Sequence, residues 1–524
     1  RAAATTARPD PTNSGDRPPV TAIRVSGTVN ENAVTPASPH KRPARDSSPG
    51  AGWVALLCCV MSDDSSSRIV SALRTWIATA PPEAKLPSTR ALVAQHSASP
   101  VTVQKALRTL ISQGVIETRP GVGTFVKTVH TARPNDYGWQ TAALGAPGNR
   151  LQLPAALQST SSDVIALHSG YPARELLPER LVHAAFTRAS RTDAVVARPP
   201  TAGLPELRAW FAAELGASTP LGVTPPSASD VVIIPGSQTG LSTAFRALVG
   251  AGRPLLMESP TYWGAILAAT QAGVRVVPVP TGVDGPDPDA LEQAFAESGA
   301  RAFYAQPTFA SPTGAQWSPD LSERVLDIVR RHGAFLIEDD SAHDFGITAE
   351  PSPLAARDDG GHVVYLRSLT KVVSPSIRLA GLIARGPAHE RILADTGAES
   401  MYVSGILQTV ALDVVTQPAW RTHLRRLRTQ LEVRRDLLAH SLIEFAPRGH
   451  LDRIPRGGLN LWMRLRDDID LEDVVHKCKS AGVIVGAGDD YFPAEPTGKF
   501  LRLNYAGSNA GEFPDAARTI GSVI

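Results

Sequence analysis

From Asp163 onward, short apolar runs alternate with longer segments of helical period. That alternation predicts an α/β domain with a mostly parallel sheet, because each return to a parallel strand needs a crossover, usually a helix. Ligands of such sheets bind beyond the carboxyl ends of the strands, so the residues that follow each run matter most. Run 231–234 leads into Gly236, Ser237 and Gln238, and run 255–257 into Ser259, Pro260, Thr261 and Tyr262. Run 302–305 leads into QPTFASPTG at 306–314, and run 335–337 into Glu338, Asp339 and Asp340. Run 363–366 leads into Ser368 and then Lys371. Five strand ends would gather hydroxyls, an aromatic ring, a carboxylate and an amine around one crevice.

Lys371 is the only lysine between Lys127 and Lys477, in a chain that otherwise uses arginine as its cation. Arginine cannot give up its proton in a protein, so it cannot serve as an amine nucleophile. Burial among Leu369, Val372 and Val373 would lower the amine pKa and make Lys371 one; a surface lysine left by codon bias is the plain alternative. Ser237 and Gln238 precede Leu241, Ala244, Phe245 and Leu248 at helical spacing, so they open a helix whose free N–H groups can hold a phosphate. Ser368 and Arg378 flank Lys371 and could complete that cup. Asp339 ends a buried strand, where a carboxylate needs a cationic partner. Tyr262 could stack on a planar ring or be an ordinary strand-end aromatic. An aldehyde-bearing, phosphorylated pyridine satisfies all of these together, which is pyridoxal 5′-phosphate.

The stretch from about Ala166 to the end resembles the fold-type I aminotransferases. The matching residues are 203–208 (GLPELR), 236–238 (GSQ), 260–262 (PTY), 311–314 (SPTG), 338–340 (EDD), 368–371 (SLTK) with Arg378, 457–458 (GG) and 501–503 (LRL). The resemblance implies a large domain with a mostly parallel sheet and a smaller α/β C-terminal domain. It implies that Lys371 forms the internal aldimine, Asp339 keeps the ring nitrogen protonated and Tyr262 stacks on the ring. Ser237, Gln238, Ser368 and Arg378 would hold the phosphate, and Arg502 would clamp a substrate carboxylate. The sequence departs from that family at the ring hydroxyl. Ser311 stands where an asparagine is usual, Ser341 where a tyrosine is usual, and the tyrosine usually found shortly before Gly203 is missing from 196–202. Serine is shorter than either residue, which bears on transamination more than on cofactor binding.

Upstream, residues 67–79 read as a helix with Ile69, Leu73 and Ile77 on one face. Ser88 caps a short helix through Gln95, and Ser99 caps another with Pro100 in its first position. Val103, Ala106, Leu107 and Leu110 give that helix one apolar face, and Gly114 ends it. Two short extended runs, 115–119 and 124–126, are joined through Pro120, Gly121, Val122 and Gly123. Helix, turn, helix and glycine-tipped hairpin make a winged helix-turn-helix. The segment resembles the GntR type of bacterial regulators through Leu86-Pro87-Ser88-Thr89-Arg90, Thr102-Val103, Ala106-Leu107, Leu110, Gly114 and 120–126 (PGVGTFV). By that resemblance Arg90, Thr102, Gln104 and Lys105 touch double-stranded DNA. Arg90 and Lys105 suit phosphates, and Thr102 and Gln104 suit base edges. Lys85, Arg108, Arg119 and Lys127 make the segment locally basic. The family usually has arginine at the positions of Pro100 and Gln104, so binding would be weaker or read a different site. A winged helix kept for packing or dimerisation is the alternative.

The net charge of +2 over 524 residues gives no bulk field toward nucleic acid or membrane. Cys58, Cys59 and Cys478 form neither a metal spacing nor a disulfide framework, which fits a reducing, cytoplasmic compartment and no metal site. No apolar run approaches the roughly 20 residues that span a bilayer. Residues 1–60 lack periodicity and read as a disordered leader, with Met61 expected to be the true start. A winged-helix domain at 61–128, a linker at 129–162 and an aminotransferase-like domain at 163–524 complete the layout.

That layout is the one of the MocR type of regulators. The resemblance implies a homodimeric regulator that responds to the cofactor or to an amino compound that displaces Lys371. A working aminotransferase, and a regulator whose pocket no longer binds the cofactor covalently, are the other two readings.

Overall fold

The computed structural model describes residues 65–81, 83–127, 139–140, 143, 155–158, 160, 164–507 and 509–524. The expected leader, Met61 and most of the expected linker lie outside them. Two compact units divide the chain, residues 1–143 and 144–524.

The first unit holds helices α1 (Ser65–Thr79), α2 (Thr89–His96) and α3 (Pro100–Ser112), then strands β1 (Ile116–Arg119) and β2 (Gly123–Val126). The Ser88 hydroxyl accepts from the Ala91 N–H at 3.2 Å, and the Ser99 hydroxyl accepts from the Thr102 N–H at 3.1 Å. Each cap satisfies a donor that the helix itself leaves free. Ile69 and Leu73 meet Leu92, Val103, Ala106 and Leu110 in one small core, closed by Ile116 and Val126 of the hairpin. One pairing is absent from the sequence pattern. Lys85 bridges Phe125, and the Leu86 N–H donates to the Thr124 carbonyl at 2.8 Å, so the hairpin gains a third, very short strand. A single bridge has no period to detect.

In the second unit an eight-stranded sheet runs in the order β4-β11-β10-β9-β8-β5-β6-β7. Its strands are β4 (Val231–Ile234), β5 (Pro254–Ser259), β6 (Arg275–Gly282), β7 (Gly285–Pro286), β8 (Ala302–Ala305), β9 (Phe335–Asp339), β10 (Val363–Ser368) and β11 (Ala380–Ile383). Strands β10, β9, β8, β5 and β6 pair parallel. β11 runs against both its neighbours, so β4 shares the direction of β10. Alternate residues face opposite sides of each strand. Val231, Ile233, Leu256 and Phe303 join the core on one face, and Val232, Ile234, Met257 and Tyr304 join the core on the other.

The C-terminal part builds a second sheet, in the order β12-β13-β16-β15, entirely antiparallel. Its strands are β12 (His450–Leu451), β13 (Asn460–Leu465), β15 (Gly486–Ala487) and β16 (Lys499–Asn504). Helices Pro418–Phe445, Leu471–Ser480 and Phe513–Val523 contribute to the core beside it. A short strand from early in the unit, β3 (Ile165–Ala166), pairs with β14 (Val483–Ile484). The smaller domain is therefore not contiguous in sequence. Among the described residues no helix is long and apolar enough to cross a membrane, and no cluster of His, Cys, Asp or Glu is arranged to hold a metal.

Candidate functional site

Lys371 lies three residues beyond the end of β10, beside the fully buried Leu369, Val372 and Val373. Burial pushes its amine down to about 8, the Arg502 guanidinium pushes the same way, and Asp339 opposes them. Its Nζ stands 5.9 Å from the centre of the Tyr262 ring. Asp339, the last residue of β9, is 1% exposed. Its Oδ2 accepts from Tyr304 Oη at 3.0 Å and Gln306 Nε2 at 2.8 Å, and its Oδ1 accepts from the Ser341 N–H at 3.2 Å. These donors are all neutral, and no cation among the described residues lies within ion-pair distance. Burial raises the Asp339 pKa against those donors and the pull of Lys371.

Tyr304, Gln306 and Glu258 support this carboxylate and were not expected as site residues. Gln306 is pinned from both ends: its N–H donates to Glu258 Oε2 at 2.9 Å, and its Oε1 accepts from the Ser311 N–H at 2.9 Å. Burial pushes the Glu258 carboxyl up to about 7. Tyr304 sits in an apolar run and Gln306 inside a proline-rich loop, so neither carried a periodic signal.

The opposite end of the site is the start of helix Ser237–Ala244. Gly236 precedes it with φ 89°, a conformation that suits glycine. A Cβ there would sit 3.2 Å from Arg378 Nη2, so the guanidinium lies against the helix entrance. Arg378 Nη1 also donates to Tyr171 Oη at 3.4 Å. Ser368 ends β10, and its hydroxyl accepts from the Thr370 N–H at 3.2 Å. The Gln238 side chain turns toward Tyr262 and Gly264. Its Nε2 donates to the Gly264 carbonyl at 2.7 Å and its Oε1 accepts from Tyr262 Oη at 3.3 Å, so the amide braces Tyr262 and leaves the backbone N–H at the helix start.

Arg502, on β16, is 3% exposed. Its Nη1 donates to the His168 and Ser169 carbonyls at 3.0 and 3.2 Å, and its guanidinium carbon lies 5.6 Å from the Tyr491 ring centre. No carboxylate among the described residues pairs with it, which rules out a surface salt bridge as its role. Asn504 Nδ2 holds the Ser169 and Tyr171 carbonyls at 2.7 and 3.1 Å, fixing the segment Arg502 leans on. Tyr262, Gln306, Ser311, Ser341, Lys371 and Asn460 share one pocket. Asp339 does not line that pocket itself but is bonded to two residues that do, Gln306 and the Ser341 N–H, and Arg378 lies beside Gly236 at the entrance to the Ser237–Ala244 helix.

In the first unit Arg90 is the second residue of α2, and Gln104 and Lys105 follow on the first turns of α3; all three are exposed. Thr102 is half-buried, its hydroxyl 2.8 Å from that of Ser99. Arg119 does not add to the basic surface as expected. Glu117 and Glu83 pair with it at 2.7 and 3.3 Å, and its guanidinium packs over Phe125.

Comparison with known proteins matches two families. Residues 162–520 match aminotransferase class I and II, and residues 65–126 match the gntR family of bacterial regulatory proteins. The chain is 26% identical over 451 residues to the uncharacterized HTH-type transcriptional regulator YdfD of Bacillus subtilis, covering 84% of this chain and 92% of that one. It is 31% identical over 362 residues to the probable rhizopine catabolism regulatory protein MocR of Rhizobium meliloti, covering 66% and 70%. Among solved structures, the α-aminoadipate aminotransferase LysN from Thermus thermophilus, complexed with N-(5′-phosphopyridoxyl)-L-leucine, matches with TM-score 0.64 and 27% identity over 69% of this chain and 92% of that one.

Proposed function

Because the chain belongs to the class I and II aminotransferase family and carries a gntR-type helix-turn-helix domain ahead of that fold, as MocR-like regulators do, we propose that it is a transcription regulator that senses pyridoxal 5′-phosphate, or an amino compound bound through it, at Lys371. Pyridoxal 5′-phosphate is the cofactor the family implies, and the residues present suit it. When bound it supplies an aldehyde that condenses with amines and a ring that draws electrons from the attached carbon.

The observation that carries the reading is that Lys371 lines the same pocket as Gln306 and Ser341, the residues that hold Asp339. An amine with a pKa near 8 is about one-quarter neutral at pH 7.5, against about one part in a thousand for an ordinary lysine, so Lys371 is a competent nucleophile there. Asp339, buried with neutral donors only, would take the protonated ring nitrogen as its missing cation. The Tyr262 ring would lie against the cofactor ring, with Ser311 and Ser341 near the ring hydroxyl. Ser237, the Gln238 N–H, Ser368 and Arg378 would hold the phosphate. Arg502 would receive a carboxylate of the amino compound.

In the first unit Arg90 and Lys105 would meet DNA phosphates, and Thr102 and Gln104 base edges. The proposed layout is a DNA-binding domain at 61–128, a linker at 129–162 and a sensor domain at 163–524. A cytoplasmic homodimer on two operator half-sites belongs to the same reading.

The test is a footprint on DNA upstream of the neighbouring gene, with and without the cofactor. Salt-dependent protection whose affinity or pattern changes with the cofactor supports a regulator; protection indifferent to it counts against sensing. A working aminotransferase is the second reading, favoured by Arg502 standing without a carboxylate partner. Turnover of an amino donor with a 2-oxo acid would select it.

A further inference from the structure

Asn460 opens β13 directly opposite Asn504 of β16. The two asparagines differ in how their amides are used. Asn504 spends both amide atoms on the backbone, donating to the Ser169 and Tyr171 carbonyls and accepting from the Ala506 N–H at 2.7 Å. Asn460 is 9% exposed, and its buried Oδ1 finds no hydrogen-bond partner among the described residues. A buried polar group left that way is costly to the fold, and a bound group with a complementary hydrogen-bonding atom would relieve the cost. The amide lines the pocket that Lys371, Tyr262, Ser311 and Ser341 also line. The two amide ends are interchangeable by a half-turn, so an N–H donor can face that pocket as readily as the oxygen.

The loop position that usually carries a carboxamide holds Ser311, and the usual phenol is Ser341. Both hydroxyls sit on short side chains. We propose that Asn460 is a cofactor-binding residue whose amide N–H donates to the ring hydroxyl oxygen of pyridoxal 5′-phosphate, the contact that Ser311 and Ser341 are too short to make. The carboxamide at the ring oxygen then comes from the first residue of β13 and not from the loop after β8. The inference rests on the cofactor reading above. A donor at that oxygen favours its anionic form and therefore lowers the pH at which the bound chromophore loses its proton.

The experiment is a pH titration of the visible absorbance band of the cofactor-loaded protein, full-length, for wild type and Asn460→Leu. Leucine keeps the volume and removes the donor. The titration midpoint should rise by about one pH unit or more, a tenfold change in proton affinity. Adding Ser311→Asn to the Asn460→Leu background should bring the midpoint back down. Should the leucine variant fail to fold, Asn460→Asp supplies the reading, because a carboxylate beside the ring oxygen should raise the midpoint further. A midpoint unchanged in the folded variant, or raised in Asn460→Leu and not lowered by Ser311→Asn, overturns the assignment. A wild-type protein that takes up no colour overturns the cofactor reading itself, a different and separable result.

Discussion

Arg90, Gln104 and Lys105 of the winged helix stand in solvent, whereas Asp339, Arg502 and Asn460 of the crevice are at least nine-tenths buried and lack a partner of the complementary kind. The difference is energetic. An exposed side chain keeps most of its hydration, so it costs the fold little whether or not a ligand is bound. A buried carboxylate without a cation, or a buried guanidinium without an anion, is a standing penalty that a ligand relieves. On the proposed reading the winged helix would bind at a strength set by salt, while the crevice carries its demand for a ligand within its own packing.

The sharpest way to break the comparison is to remove the amine. Lys371→Ala should abolish any colour fixable by borohydride, a complete loss read by absorbance. The same amine fixes the pH dependence. Its pKa is lowered from the ordinary 10.5 to about 8, so the rate of cofactor uptake should rise about tenfold per pH unit below 8 and level off above it. Continued rise to pH 10 would mean an ordinary, hydrated lysine.

Next in size is the core of the other unit. Leu110 is 0% exposed, and Leu110→Ala should cost about 3 kcal/mol, lowering the melting temperature of the winged helix and its DNA affinity while cofactor colour survives. Joint loss would contradict the separateness of the two units.

Arg502→Ala should weaken binding of a carboxylate-bearing amino compound by about 10–100-fold, the value of a hydrogen-bonded charge, as read by spectral titration. Binding of an amine that lacks the carboxylate should barely change. The smallest effect belongs to the exposed surface. Arg90→Ala should lower DNA affinity by about tenfold and reduce the slope of log K against log salt by about 0.9, the share of one phosphate.

Much of this was legible in advance, for local reasons. Strands β4, β5, β8, β9 and β10 announce themselves by apolar runs, and the residue after each run is fixed by chain connectivity. The caps at Ser88 and Ser99 are equally local. What the sequence withheld depends on register between strands remote along the chain. Tyr304 and Gln306 reach Asp339 only because β8 lies beside β9. Gly236 meets Arg378 because β4 pairs with β11, and β3 joins the smaller domain from more than 300 residues upstream. Arg119 looked like a free cation until the fold set Glu83 beside it. Asn460, two residues after a glycine pair, resembled any polar residue at a strand start.

The central claim is that Lys371 is the amine that meets the cofactor. Peptide mapping after borohydride reduction of the cofactor-loaded protein tests it directly. The account predicts one phosphopyridoxyl group per chain, on Lys371. A label distributed over exposed lysines such as Lys477, or absent from Lys371, would contradict it.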